Sequence, residues 1–371
     1  MKEKNYAFVY KDDKSPEKHI PITVGHNILH KLPEQIESIN PDKILVVTDS
    51  NVEKLYGNEI LNVLSQYYET NLISFQAGED NKIFETLEDL LEKSVPLATK
   101  HSNIIAFGGG VTTDMVGVLS GLLYRGANKG VINVPTSIMS QLDGAIGAKT
   151  AVNSSLGKNT YGLFNPPESI FVDTKFLETL SPKETKNGLS EAVKHSISQD
   201  KKFYDYLINV LNPEQNYSKE TLHNIVDWTI RLKLECLKID PTEGKSGPYM
   251  DIGHILGHSI ERASHYTSNS LTHGEAVALG IMVETHLSYL LGETDLKFIN
   301  QIKNIYEKLG APTKIPGEVS VSEILRHLNH DNKRRTEGIP FILAKGFNNL
   351  IIRYSGEISE NKIIQSLNQY K

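Results

Sequence analysis

The hydrophobic rhythm of the chain changes about halfway along. In the first half, short β-branched runs end in turn residues: KILVVTDS (43–50), NLISF (71–75), NIIAFGGG (103–110) and GVINVPTS (130–137). Helix-like segments lie between them, over 51–67, 82–98 and 114–124. Strand alternating with helix predicts a parallel sheet covered by helices. SIFVDT (169–174) predicts one more strand, after a long excursion containing Gly and Asn.

From about 181 the strand signals fade and helices dominate. In SPKE (181–184), Ser181 suits an N-cap, Pro182 the first helical position and Glu184 the closing residue of a capping box. THGE (272–275) predicts a second capping box, and the helix it opens can run to a stop at Gly292. FILAKG (341–346) reads as a late strand. With 371 residues, no internal repeat and no low-complexity linker, the chain is expected to form two domains. These are an α/β domain with a parallel sheet over 1–178 and a mainly α-helical domain over 179–371.

Composition narrows the functions. A content of 39% hydrophobic and 23% charged residues is ordinary for a globular protein. A net charge of −6 offers no basic footprint for nucleic acid. Phosphorylated small molecules stay open, because local lysines can oppose the global sign. Cys236 is the only cysteine, so there is neither a disulfide framework nor a thiolate metal site. The N-terminal residues lack the apolar core of a signal peptide, and no run reaches transmembrane length. A cytoplasmic protein with no membrane partner is expected.

Candidate chemistry sits in three places. FGGGVTTDMVG (107–117) follows a strand and precedes a helix, where glycines admit a ligand and free N–H groups face an anion. Asp114 can alternatively cap that helix, and the stretch is not the common GxGxxG dinucleotide fingerprint. DGAIGAKTAVNSSLGKN (143–159) holds Asp143, Lys149, Lys158 and Asn159 among small residues. Ammonium and amide groups there can grip phosphate or polyol oxygens, although a solvated loop accounts for any single lysine. The third place is MDIGHILGHSIERASHYTSNSLTHGEAVALG (250–280). His254 and His258 are four apart and share a helix face, His273 follows in the capped helix, and Glu191 lies on another amphipathic helix with Lys194 nearby. Imidazoles plus a carboxylate suit a divalent metal, and a site of three protein ligands leaves one histidine for chemistry. His265 is expected to be a loop residue.

These segments together resemble the dehydroquinate synthase family of sugar-phosphate cyclases, from about 43 to 347. VTDSNVEKLYG, AGEDNK, GGGVTTD, LYRG, PTS, KTAVN, GKN, GLSEAVKH, GHILGH, THGEAVALG and HDNKR appear in the family's order. The resemblance implies an N-terminal nucleotide-binding domain, a helical C-terminal domain and an active site in the cleft. It implies that Glu191, His254 and His273 bind Zn2+ or Co2+, with His258 a non-ligand histidine near the leaving phosphate. Asp49, Asn51, Glu79, Lys82, Gly109, Gly110, Asp114, Thr136 and Ser137 match positions that hold NAD. Asp143, Lys149, Lys158, Asn159, Lys194, Lys233 and Lys333 match substrate-contacting positions, and among these Asp143, Lys149 and Lys194 are expected, with His258, to be catalytic. Arg125 matches an arginine that reaches the neighbouring subunit's site, which implies a homodimer. The implied chemistry is a lyase cycle: oxidation of a sugar-phosphate hydroxyl by NAD, elimination of phosphate, re-reduction and intramolecular aldol closure of a carbocycle.

One segment departs from the dehydroquinate synthases, which resemble LRxLxNFGH before the metal histidine. Here GPYMDIGH places Gly247 where an arginine would meet the substrate carboxylate, and Asp251 where asparagine would stand. Losing that bidentate arginine and adding a negative charge disfavours a carboxylate-bearing substrate. With KTAVN and HDNKR, this pattern is more similar to the 2-deoxy-scyllo-inosose synthases, which act on glucose 6-phosphate. Dehydroquinate synthase is the next expectation, then a sedoheptulose 7-phosphate cyclase, then a metal-dependent alcohol dehydrogenase of related fold.

Overall fold

The computed structural model describes residues 1–12, 17–126, 128–155, 157–242, 248–264, 270–329 and 336–371, with backbone alone at 248 and 249. Gly247, His265 and Lys333 lie outside the described residues. The chain forms two compact units, Met1–Leu180 with Lys219–Gly244, and Ser181–Ser218 with Lys245–Lys371. The helix Lys219–Ile239 therefore belongs with the α/β unit rather than with the helices that flank it in sequence.

The first unit is built on a seven-stranded sheet of order β1-β2-β9-β6-β5-β3-β4. Its strands are β1 (Lys4–Tyr10), β2 (Lys18–Gly25), β3 (Lys43–Asp49), β4 (Glu69–Phe75), β5 (Asn103–Gly108), β6 (Val131–Pro135) and β9 (Ser169–Asp173). Only the β1–β2 pair is antiparallel. The expected strands at 43, 71, 103, 130 and 169 are all present. β1 and β2, from a stretch whose pattern gave no signal, extend the sheet at one edge. β3 shows why such runs become central strands: Ile44 and Val46 enter one core, Leu45 and Val47 the other. Both faces are covered, so apolar side chains are needed on both, each contributing about 1.5–3 kcal/mol on burial.

Two expectations shift in detail. The helix foreseen over 114–124 begins at Gly110 and runs to Leu122, so Asp114 lies inside it and Gly109 is the N-cap. The excursion between 137 and 169 contains an antiparallel hairpin, β7 (Lys149–Ser154) and β8 (Gly157–Phe164). The polar and small residues of that hairpin hid its strands, because little of β8 is buried.

In the second unit the helix His273–Leu290 is central. Nearly every side chain from Gly274 to Ser288 is buried, as expected of a helix that is apolar all round. Around it pack Pro182–Ser198, His254–Ser264, Leu296–Leu309 and the hairpin of β10 (Pro340–Gly346) and β11 (Asn349–Tyr354). Both expected capping boxes form, Ser181 with Glu184 and Thr272 with Glu275. Among the described residues no helix is long and apolar enough to cross a membrane.

Candidate functional site: a strand-end cradle and a histidine cluster

In the first unit the chain runs from β3 outwards to β4, then returns to place β5 on the other side of β3. That reversal is a topological switch point, where open α/β sheets bind ligands beyond the carboxyl ends of their strands. Asp49 ends β3, and Gly108 ends β5 beside it. The Asp49 carboxylate accepts from the backbone N–H groups of Asn51 and Val52 and from Thr112 Oγ1 at 3.2 Å. A Cβ on Gly110 would meet nothing within 4 Å, and one on Gly109 would approach only Ser137. The helix start is thus bare backbone beside open space, which fits a phosphate group. Thr136 is buried and follows β6, with Ser137 next to it.

Polar pairs surround this cradle. Lys82, 5% exposed, donates to Asp114 Oδ2 at 2.5 Å and to Asn159 Oδ1 at 2.6 Å. Burial pushes the Asp114 carboxyl up to about 6, a rise that the Lys82 ammonium opposes but does not cancel. Glu79 accepts from Asn153 Nδ2 at 2.8 Å, and Asn153 Oδ1 in turn accepts from the Asn159 amide. Buried Lys233, on the helix Lys219–Ile239, pairs with the Asp143 carboxylate and donates to the Asp143 carbonyl at 2.9 Å. Lys149 and Lys158 stand exposed on the hairpin. Arg125 is exposed in a left-handed turn with φ 63°.

In the second unit, glycines let two helices touch. A Cβ on Gly257 would lie 3.0 Å from Val277 Cα, and one on Gly280 only 2.7 Å from the Gly257 amide. This crossing brings His254 and His258, on one helix, against His273 at the start of the other. The three imidazoles each offer a nitrogen within 4.8 Å of the others. Ring centroids are 5.4, 5.5 and 5.5 Å apart.

Glu191 comes from the helix Pro182–Ser198 and is fully buried. Its Oε1 lies 3.7 Å from His254 Nε2 and 3.8 Å from His273 Nε2 and has no hydrogen-bond partner. Its Oε2 is ion-paired with Lys194, itself 1% exposed. Two donors bound to one tetrahedral zinc at about 2.0–2.1 Å lie about 3.3 Å apart. The observed separations are within half an ångström of that, and a buried oxygen lacking a partner is what a cation satisfies. The residues fit a divalent metal.

Ties around the cluster hold it in this form. Asn187 Oδ1 accepts from the Gly274 amide at 2.7 Å, and Ser190 Oγ donates to the Gly274 carbonyl at 2.6 Å. These bonds dock the Glu191 helix on the first turn of the His273 helix. Glu261 Oε2 accepts from His273 Nδ1 at 3.2 Å, which leaves Nε2 to face Glu191. Sequence reasoning missed Glu261, although it lies three residues after His258 on the same helix. It also missed Thr112 and Asn153, although they lie inside GGGVTTD and KTAVN, and Glu284, which has no motif around it. Asp251 ends the short helix Pro248–Asp251, three residues before His254. His258, expected as a non-ligand, has its nitrogen in the same cluster as the other two histidines.

The comparisons with known proteins agree with this fold. The model of the 3-dehydroquinate synthase N-terminal family matches residues 72–187, and that of the C-terminal family matches 188–334. The 2-deoxy-scyllo-inosose synthase of Micromonospora echinospora is 32% identical over 85% of this chain and 78% of its own. The 3-dehydroquinate synthase of Syntrophotalea carbinolica is 32% identical over 91% of this chain and 92% of its own. A crystal structure of 2-deoxy-scyllo-inosose synthase with carbaglucose-6-phosphate, NAD+ and Co2+ superposes with a TM-score of 0.88 at 25% identity, covering 99% of this chain and 100% of that one. An α/β parallel-sheet unit followed by a helical unit is the dehydroquinate synthase-like architecture. The chain belongs to the dehydroquinate synthase family and is a sugar-phosphate cyclase of that family.

Proposed function

We propose that the chain is a 2-deoxy-scyllo-inosose synthase, which releases phosphate from glucose 6-phosphate and closes a carbocycle. The observation that carries this reading is Asp251, whose carboxylate stands three residues before His254 where an uncharged amide would suit a carboxylate substrate. In the reading, NAD supplies a hydride acceptor that returns its hydride within the cycle, and Zn2+ or Co2+ supplies a Lewis acid. The crystal structure with Co2+, NAD+ and a glucose 6-phosphate analogue supports both cofactors.

Roles follow from the geometry of each group. Glu191, His254 and His273 hold the metal, because they combine a buried carboxylate oxygen lacking a hydrogen-bond partner with two nitrogens facing it. Asp49, Asn51, Glu79, Lys82, Gly109, Gly110, Asp114, Thr136 and Ser137 hold NAD around the switch point. Lys149, Lys158, Asn159, Lys233 and Lys333 bind phosphate and hydroxyl oxygens, and Asp251 accepts from a sugar hydroxyl. Asp143, oriented by Lys233, accepts from another. His258 and Lys194 move protons at the leaving phosphate and the ring oxygens. Arg125 reaches a second copy in a homodimer, and the enzyme works in the cytoplasm.

The near-equal match to a 3-dehydroquinate synthase supplies the second reading. The test is inorganic phosphate release, with NAD and Zn2+ or Co2+, from glucose 6-phosphate and, in parallel, from the seven-carbon keto acid phosphate that a 3-dehydroquinate synthase would use. Release from glucose 6-phosphate alone, with no accumulating NADH, is expected. Release from the keto acid alone makes the chain a dehydroquinate synthase with another carboxylate anchor. Stoichiometric NADH without phosphate would make it a dehydrogenase.

A further inference from the structure

The peptide group between Ile252 and Gly253 is hydrogen-bonded on both sides. Its N–H donates to Glu284 Oε2 at 2.8 Å, and its carbonyl oxygen lies 3.2 Å from His254 Nδ1. A carbonyl can only accept, so Nδ1 carries the proton. The lone pair then resides on Nε2, the nitrogen facing Glu191. Gly253 has φ 77°, a left-handed conformation that few other residues adopt, and this turn presents the two sides of the peptide to Glu284 and His254. Glu284 is 1% exposed and sits on the central helix, one turn beyond Gly280, where the two histidine helices cross.

We propose that Glu284 is a positioning residue of the metal centre that acts on His254 through the Ile252–Gly253 peptide. A carboxylate accepting from the peptide N–H shifts electron density onto its carbonyl oxygen. The carbonyl then holds the His254 Nδ1–H more firmly, which fixes the ring and strengthens Nε2 as a metal donor. His273 receives the same support from Glu261 in direct contact. One cluster thus has two carboxylate braces, one direct and one relayed through backbone. The inference rests on His254 being a metal ligand and is independent of which sugar phosphate is turned over.

The test measures Zn2+ affinity of the metal-free full chain by chelator competition, alongside its thermal unfolding. The variants are Glu284→Gln, which keeps an acceptor but removes the charge, Glu284→Leu, His254→Ala and the Glu284→Gln/His254→Ala double variant. Glu284→Gln is expected to weaken zinc binding about tenfold, the lower end for an outer partner, and Glu284→Leu more. With His254 already removed, Glu284→Gln should change affinity less than about twofold. Unchanged affinity in Glu284→Gln, or an equal loss with and without His254, overturns the relay while leaving the metal site standing. Unchanged affinity in His254→Ala overturns the metal assignment itself. Should the variants fail to fold, the His254 ring nitrogen resonances of the natural protein decide: a protonated Nδ1 supports the relay and a protonated Nε2 overturns it.

Discussion

In the α/β unit, charged and polar groups around the strand ends hold one another: Lys82 with Asp114, Lys233 with Asp143, and Glu79 with the Asn153 amide. In the helical unit, Glu191 keeps one oxygen without a hydrogen-bond partner in full burial, aimed at two imidazole nitrogens. The first arrangement is a cradle whose side chains already have partners, beside a helix start of bare backbone where a ligand can add bonds without breaking those pairs. The second has its charge balanced by Lys194 but keeps one buried carboxylate oxygen without a hydrogen-bond partner, held in place by tight helix packing, and a cation would satisfy it. Reversible cofactor binding suits the first, and a resident metal suits the second.

The largest effect should come from breaking the buried pair. Lys194→Met leaves Glu191 uncompensated and is expected to destabilise the metal-free protein by about 3–5 kcal/mol. Saturating zinc should shrink that deficit, because the ion replaces the lost ammonium. Denaturant unfolding with and without zinc checks this, and an equal deficit in both would mean no ion sits beside Glu191. Next, Glu191→Ala should weaken zinc binding by more than about 100-fold, beyond the range for an outer partner, as read by chelator competition. Glu261→Gln should weaken it about tenfold, since His273 loses its charged orienter but keeps an acceptor.

The smallest effect lies in the cradle. The Asp114 carboxyl, raised by burial, should titrate near 6 in a carboxyl carbon shift experiment. A folded value above the unfolded one means the native state binds this proton more tightly. Its contribution therefore favours folding as pH falls through about 6 and is lost as pH rises past it. Lys82→Met, which removes the opposing ammonium, should move the titration higher still. Titration near 4 would show that the cradle is wetter than the fold implies.

The same contrast explains what could be read from the sequence. Strands such as KILVVTDS fill two cores at once, so their apolar content announces them. The capping boxes at Ser181 and Thr272 are local chemistry and formed as expected. His254 and His258 could be nominated from their four-residue spacing on one helix face, whereas the ligand set of Glu191, His254 and His273 was implied only by the family resemblance, because Glu191 and His273 share no regular spacing with that pair. The hairpin at 149–164 stayed hidden because β8 is mostly exposed, β7 is largely half-buried, and neither carries a clear alternation. Helix Lys219–Ile239 looked like part of a helical run, yet it belongs to the α/β unit, a tertiary choice that no local pattern encodes. Glu261 and Glu284 are ordinary helix residues until folding places one on an imidazole and the other on a peptide.

The most direct test is anomalous diffraction at the zinc or cobalt edge from crystals of the metal-loaded protein. The account predicts one strong peak bonded to Glu191 Oε1, His254 Nε2 and His273 Nε2, with His258 at non-bonding distance. A peak bonded to all three histidines with Glu191 still on Lys194 alone, or no peak in this cluster, would contradict it.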